Sequence, residues 1–255
     1  MNRRMLMTLL AGAGTGLVMR QGVRAATLVE RNVESRLALA LRLPAAAVQR
    51  QLSGPWETAG QPPGPFAGAN LFVLFYDRAH ALDGAGQVPP QATARFVVLA
   101  PFARSRDSGE SAFVVSRIYL PDASLMPGPY RNGVPAETRR RFSSDGPAFA
   151  PGTASEAWEM QAANGDRISL SVDYRRGRPT RAQRELRIYS SVEPGFHRIY
   201  RTDEVLDVVR SRPAGIDRAD RFSAAFAVAD LPELAEAEVV AVTAYPLYLR
   251  DVSLP

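Results

Sequence analysis

Between Ala154 and Tyr174 apolar and polar residues alternate on both sides of Asn164-Gly165-Asp166, and this pattern leaves the chain few architectures. Alternation at period two around a glycine-centred break marks a β-hairpin. Burial selects its register. A two-residue loop would place Trp158 and Met160 on one face with Ser169, Ser171 and Asp173. A three-residue loop groups them with Ile168, Leu170, Val172 and Tyr174 and puts Gly165 in the left-handed position. The second register is expected. It turns Glu156 into the core beside Tyr174 and leaves Glu159 and Gln161 facing outward.

Other segments fit a strand-rich chain. Leu37 to Leu43 reads as a strand, and Pro44 starts a short helix through Leu52. Gly54 to Gly68 reads as a loop. Asn70 to Tyr76 and Arg95 to Ala100 are near-continuous apolar runs, as strands buried on both faces require. Ala112 to Leu120, Glu185 to Ser191 and Phe222 to Val228 are further strands. Leu125 to Ala150 reads as irregular, with a brief helix near Glu137–Phe142. Thr202 to Arg212 reads as a helix, with Val205, Leu206, Val208 and Val209 on one face and Pro213 ending it. Asp230-Leu-Pro-Glu233 resembles a capping pattern before a short helix. A last strand, Glu238 to Tyr248, is interrupted at Pro246. The triplet Arg-Ile-Tyr occurs at 117–119, 187–189 and 198–200, and on a strand it sets Arg and Tyr side by side. The expected class is mainly β with a few short helices (α+β), in one domain over residues 27–255.

Residues 1–26 read as an export leader. Arg3-Arg4 precede the short apolar stretch Met5 to Met19, and Val23-Arg24-Ala25 supplies a small-residue end. The apolar stretch falls short of the roughly 20 residues of a membrane span, so no integral span is expected. The arginine pair and modest hydrophobicity suggest the twin-arginine route to a periplasmic or secreted destination. Removing Arg3, Arg4, Arg20 and Arg24 with the leader lowers the formal charge from +5 to +1. The basic runs Arg139–Arg141 and Arg175–Arg178 read as solvated loop charge, and no nucleic-acid partner is expected.

Two absences exclude chemistry. The 255 residues contain neither lysine nor cysteine. Schiff-base and Walker-type phosphate chemistry require the lysine amine, and thiol nucleophiles or Cys-ligated metals require the other. His80 and His197 are the two histidines, and neither has metal-site spacing. No Gly-X-Ser-X-Gly elbow or dinucleotide glycine fingerprint lies in the mature chain. No metal or cofactor is expected.

Arg117 is the most informative charge, because an unbroken strand would place it with Phe113, Val115 and Tyr119. A buried guanidinium requires a carboxylate partner or an anionic ligand, and Glu156 is the candidate partner. Around a small carboxylate clamped by Arg117, the candidate ligand-binding residues are Tyr119, Tyr130, Asn132 and Trp158. Tyr130 and Asn132 come from the loop Met126-Pro-Gly-Pro-Tyr130-Arg-Asn132-Gly-Val-Pro135. Glu156 and His197 are the candidate catalytic acid–base groups.

The run Leu37-Ala-Leu-Ala-Leu-Arg-Leu-Pro44-Ala-Ala-Ala-Val-Gln-Arg-Gln-Leu52, with Arg117-Ile-Tyr119, the Pro-Gly-Pro-Tyr130 loop and the strand at 238–249, resembles the acetoacetate decarboxylase-like superfamily. The resemblance implies a closed, cone-like β-barrel around a small ligand cavity. It also implies a catalytic lysine in the members that decarboxylate, and no lysine here can take that role. The functional expectation is therefore an exported protein that binds a small, partly apolar carboxylate or keto compound in a barrel cavity without Schiff-base chemistry. The alternatives are a cofactor-free acid–base enzyme acting through Glu156 on a carbonyl compound, or a structural envelope protein. A homo-oligomer is compatible with all three.

Overall fold

Leucines at alternate positions of Leu37-Ala-Leu-Ala-Leu41 with alanines between them require cover on both faces, and the fold provides two covers. The computed structural model describes residues 26–122 and 130–255. The leader, apart from Ala26, and the Met126–Pro129 part of the Tyr130 loop lie outside the described residues.

In chain order the elements are β1 (Thr27–Arg42), α1 (Ala45–Gln49), β2 (Trp56–Thr58), β3 (Leu71–Asp83), β4 (Ala94–Ser105), β5 (Ser111–Val115) and β6 (Arg117–Leu120). There follow β7 (Gly133–Ser144), β8 (Gly152–Ala162), β9 (Arg167–Arg176), β10 (Thr180–Ser190), β11 (His197–Ser211), β12 (Ile216–Asp217) and β13 (Ala219–Ala227). A 3-10 turn (Pro232–Glu236) and β14 (Glu238–Leu254) end the chain. The protein is thus mainly β with little helix.

The pairing order runs β4–β3–β1–β14–β11–β10–β5, and β5 pairs back onto β4. Among the described residues these strands close into a ring. A second sheet, β7–β8–β9–β13, leaves the ring through β6. Leu37, Leu39 and Leu41 of β1 and Val73 and Phe75 of β3 pack against Trp158, Met160, Ile168 and Leu170 of that sheet. The intervening residues face into the ring, where Tyr76, Val98, Tyr130 and Ile188 form a separate cluster with Leu74, Phe96, Phe113, Leu186 and Tyr200. Both sides of the ring wall are therefore apolar, as the unbroken apolar runs demand.

The hairpin has the expected register. Trp158 pairs with Leu170, Met160 with Ile168, and Gly165 takes φ +93°. Glu156 is buried while Glu159 and Gln161 are exposed. Other expectations are corrected. Ala112 to Leu120 is two strands: β5 pairs with β4 on one register and β6 on a register one residue removed, with Ser116 as the extra residue. The slip moves every later side chain to the opposite face, so Phe113 and Val115 face the ring interior and Tyr119 faces the second sheet.

Thr202 to Arg212 is not a helix but most of β11. Its register shifts at Val205/Asp207 and again at Val208/Arg210, and two bulges this close turn alternation into apparent helical spacing. Glu137 to Phe142 is likewise strand, in β7, so the Arg139–Arg141 run lies on a strand and not in a loop. The Gly54–Gly68 loop contains β2. Pro246 does not end the last strand: β14 continues to Leu254, and Tyr245–Tyr248 bulges against both neighbours, where the missing N–H costs no ladder bond. Asp230 caps no helix, since the 3-10 turn follows Leu231 without a side-chain cap.

Candidate functional site

At the end of the ring where β1 begins, a polar cluster sits inside the barrel. Glu34 and Arg36 project inward from β1 beside Tyr76 of β3 and Arg250 of β14. Glu34 accepts from Arg36 Nε at 2.7 Å and from Arg250 Nη2 at 2.9 Å. The Arg36 guanidinium stacks on Tyr248 at 3.4 Å and on Tyr76 at 4.2 Å, and Arg250 lies 4.7 Å from the Tyr200 ring. Such faces favour a cation. Burial works against ionising Glu34, but Arg250 and Arg36 prevail and hold its carboxyl below the usual carboxylate range. Burial pushes the Tyr76 phenol up to about 12, against the opposing pull of Arg36.

Beside this cluster Arg198 and Tyr200 project inward from β11. Arg198 is 5% exposed, its guanidinium lies 5.5 Å from the Tyr130 ring, and its Nε has no acceptor. Among the described residues no carboxylate pairs with it. Arg78, with an ion pair to Glu30 at 3.7 Å, completes the set. Three guanidinium groups, Arg36, Arg78 and Arg250, thus share two carboxylates, Glu30 and Glu34, and Arg198 adds a fourth positive charge with neither. The nearby buried Glu204 is matched by Arg184. This interior carries excess positive charge and suits an anion. Tyr130 anchors its wall by donating to the Ile188 carbonyl at 2.5 Å, and burial with the neighbouring Tyr200 pushes its phenol well up. Toward the opposite end of β1 the interior is filled by aromatic contacts of Phe113 with Phe72 and Phe102, 5.0 and 5.4 Å between centroids.

The sequence-derived residues divide among three places. Tyr130 alone reaches the ring interior cluster. Asn132 donates to the Val115 carbonyl at 2.8 Å, which pins the Tyr130 loop to β5. Arg117 does not meet Glu156. The slip at Ser116 turns it to the second sheet, where its Nη1 lies 3.1 Å from Asp166 and it forms a two-point pair with Asp230. Tyr119 donates to the same Asp166 at 2.7 Å. Glu156 is held instead by Arg140 Nε at 2.8 Å and Trp158 Nε1 at 2.7 Å, both on Oε1. Its burial outweighs these partners and pushes its carboxyl up. His197 lies on the outer face of β11 against Tyr189, 5.0 Å between rings, and burial with Arg187 nearby pushes its imidazole down.

Sequence reasoning missed Glu34, Arg36, Arg198 and Arg250. The signal was present at Arg198-Ile-Tyr200, where the recurrent triplet does set Arg and Tyr side by side inside the ring.

Comparison with known proteins places the fold. No protein-family model matches the chain, and no curated protein matches it in sequence. Solved structures do. The chain is similar to the enduracididine biosynthesis enzyme MppR complexed with pyruvate, at TM-score 0.57 and 12% identity over 96% of each chain. It is also similar to MppR with HEPES buffer bound, at TM-score 0.57 and 12% identity over 89% of this chain and 86% of the other. A third is an acetoacetate decarboxylase-like enzyme from Sphingomonas wittichii RW1, at TM-score 0.56 and 14% identity over 89% and 92% of the two chains.

Proposed function

We propose that this chain, which has the acetoacetate decarboxylase-like fold but no lysine, is an exported protein that binds a small, partly apolar carboxylate or keto acid inside the ring without Schiff-base chemistry. The observation that carries this reading is Arg198, a buried guanidinium with no carboxylate partner among the described residues. Burying such a cation unpaired is strongly unfavourable, and a ligand carboxylate removes the penalty by bidentate hydrogen bonding. The apolar part of the ligand lies against Leu74, Val98, Leu186 and Phe196, which share the interior with Tyr130. The pyruvate complex of MppR, a protein of the same fold, makes oxo acids the natural probes. Arg117, engaged with Asp166 and Asp230, becomes a structural group in this reading.

The test is thermal stabilisation of the mature chain by pyruvate and by 2-oxohexanoate. The longer acid is expected to raise Tm more, because it also fills the apolar wall. Arg198→Met is expected to remain folded and lose the shift, while Arg117→Met keeps it. An equal shift in Arg198→Met, or none in the wild type with either acid, overturns the assignment; the second result favours a structural envelope role. The export element is checked separately, since intact mass of periplasmic material is expected to correspond to a chain that has lost the leader.

A further inference from the structure

A single bound carboxylate does not balance the charge inside the ring. Arg36, Arg78, Arg198 and Arg250 stand there against Glu30 and Glu34, and the nearby Glu204 is cancelled by Arg184. Among the described residues, four cations against two anions leave an excess of two positive charges. A buried lysine could shed its proton to relieve such an excess, but a guanidinium stays charged. The compensation must come from a ligand, and one monocarboxylate supplies half of it.

The open donors lie at two separate places. The Arg198 side chain makes no hydrogen bond or ion pair among the described residues, and its Nε is sealed without an acceptor. Arg250 gives Nη2 to Glu34 at 2.9 Å, but its Nε also has no acceptor. On β11, Arg198 stands four residues before Thr202, and Thr202 pairs with Arg250 on β14. Strand rise sets these two levels about 13 Å apart at the backbone. Two aromatic side chains stand between them, with Arg250 4.7 Å from the Tyr200 ring and Arg198 5.5 Å from the Tyr130 ring. Burial pushes the Tyr130 phenol up, and Arg198 and Arg250 both pull against it, so both guanidinium groups face this aromatic pair. Leu186 and Phe196 continue the apolar surface from the two tyrosines. The interior therefore offers two positive poles joined by an apolar path. A compact dianion such as sulfate answers only one of them.

We infer that the ligand of the ring is a short-chain dicarboxylic oxo acid, with one carboxylate on Arg198, the other on Arg250 and its methylene chain along the Tyr200 ring. This rests on the oxo-acid reading above and adds the second acid group to it. The diacid removes the whole excess charge and forms charge-assisted bonds at both ends. A monoacid of equal length sets a methyl group against Arg250 and leaves a buried donor unanswered.

Calorimetric titration of the mature protein with 2-oxoadipate and with 2-oxohexanoate tests this, because the two differ only in a terminal carboxylate for a methyl group. At neutral pH 2-oxoadipate is expected to bind one to one and about tenfold more tightly, the order of one charge-assisted hydrogen bond. Arg250→Met is expected to bring the ratio of the two affinities close to one. Should that variant fail to fold, Thr202→Asp carries the test. Thr202 is buried opposite Arg250 and its hydroxyl has no partner, so an aspartate there supplies the missing anion from within the protein. The same loss of preference is expected. Equal affinities in the wild type, two molecules of 2-oxohexanoate per chain, or a preference that survives either substitution overturns the inference and leaves the oxo-acid reading standing. Binding of neither acid overturns both.

Discussion

Removing the Glu34 charge leaves Arg36 and Arg250 facing each other in a buried space, with Glu30, 3.8 Å from Arg250, as the remaining carboxylate. Loss of one member of a buried ion pair costs about 3–5 kcal/mol, so Glu34→Gln is expected to lower stability by that order. The sign of the pH dependence follows from the depressed carboxyl of Glu34. A group whose acidity is strengthened by folding contributes above its unfolded pKa, and that contribution disappears as pH falls toward the folded value. Urea unfolding of wild type and Glu34→Gln should therefore differ fully at neutral pH. The gap should close as the pH drops below the ordinary carboxylate range near 4.5. A gap independent of pH would assign the effect to packing. Glu156 has the opposite character. Its carboxyl is pushed up, so burial makes its ionised form a liability that Arg140 and Trp158 only partly offset.

Among the elements, the β8–β9 hairpin was the most legible from sequence, because one face is core and the other solvent and a wrong register would exchange them. Its turn rests on Gly165 at φ +93°, with nothing within 4 Å of the position a Cβ would occupy. Gly165→Ala therefore meets no clash and isolates backbone strain, expected to cost about 1–2 kcal/mol in a denaturant melt. The unreadable elements share a cause. In β5–β6 and in β11, single extra residues change the phase of alternation in mid-strand, so a pattern read at constant period assigns the wrong faces or the wrong element. The misplacement of Arg117 beside Phe113 follows from Ser116 alone. In β7 the chain Ala-Glu-Thr-Arg-Arg-Arg-Phe buries only Ala136, and pairing with β8 overrides a composition well suited to an exposed helix. The candidate site suffered most, since Glu34, Arg36, Arg198 and Arg250 converge from three strands far apart in sequence.

At the scale of the whole molecule, ring closure is uneven. β1 and β14 pair along nearly their full lengths, whereas β5 and β10 join in parallel through only Phe113–Ile188, Val114–Tyr189 and Val115–Ser190. Local opening follows the weakest cooperative unit. Native-state hydrogen exchange is expected to show the amides of this seam exchanging faster than those between Leu37 and Leu41. Uniform protection around the ring would contradict it. Opposite that seam, β1 is a party wall. Ser35 holds Arg140, and through it Glu156, on the side of the second sheet, while the next residue, Arg36, holds Glu34 inside the ring. One peptide unit separates the footings of two rooms. A saturation scan along the buried span Leu37–Leu41 should therefore give a two-beat rhythm of phenotype: substitutions on one beat disturb the ring interior and those on the next the adhesion of the second sheet.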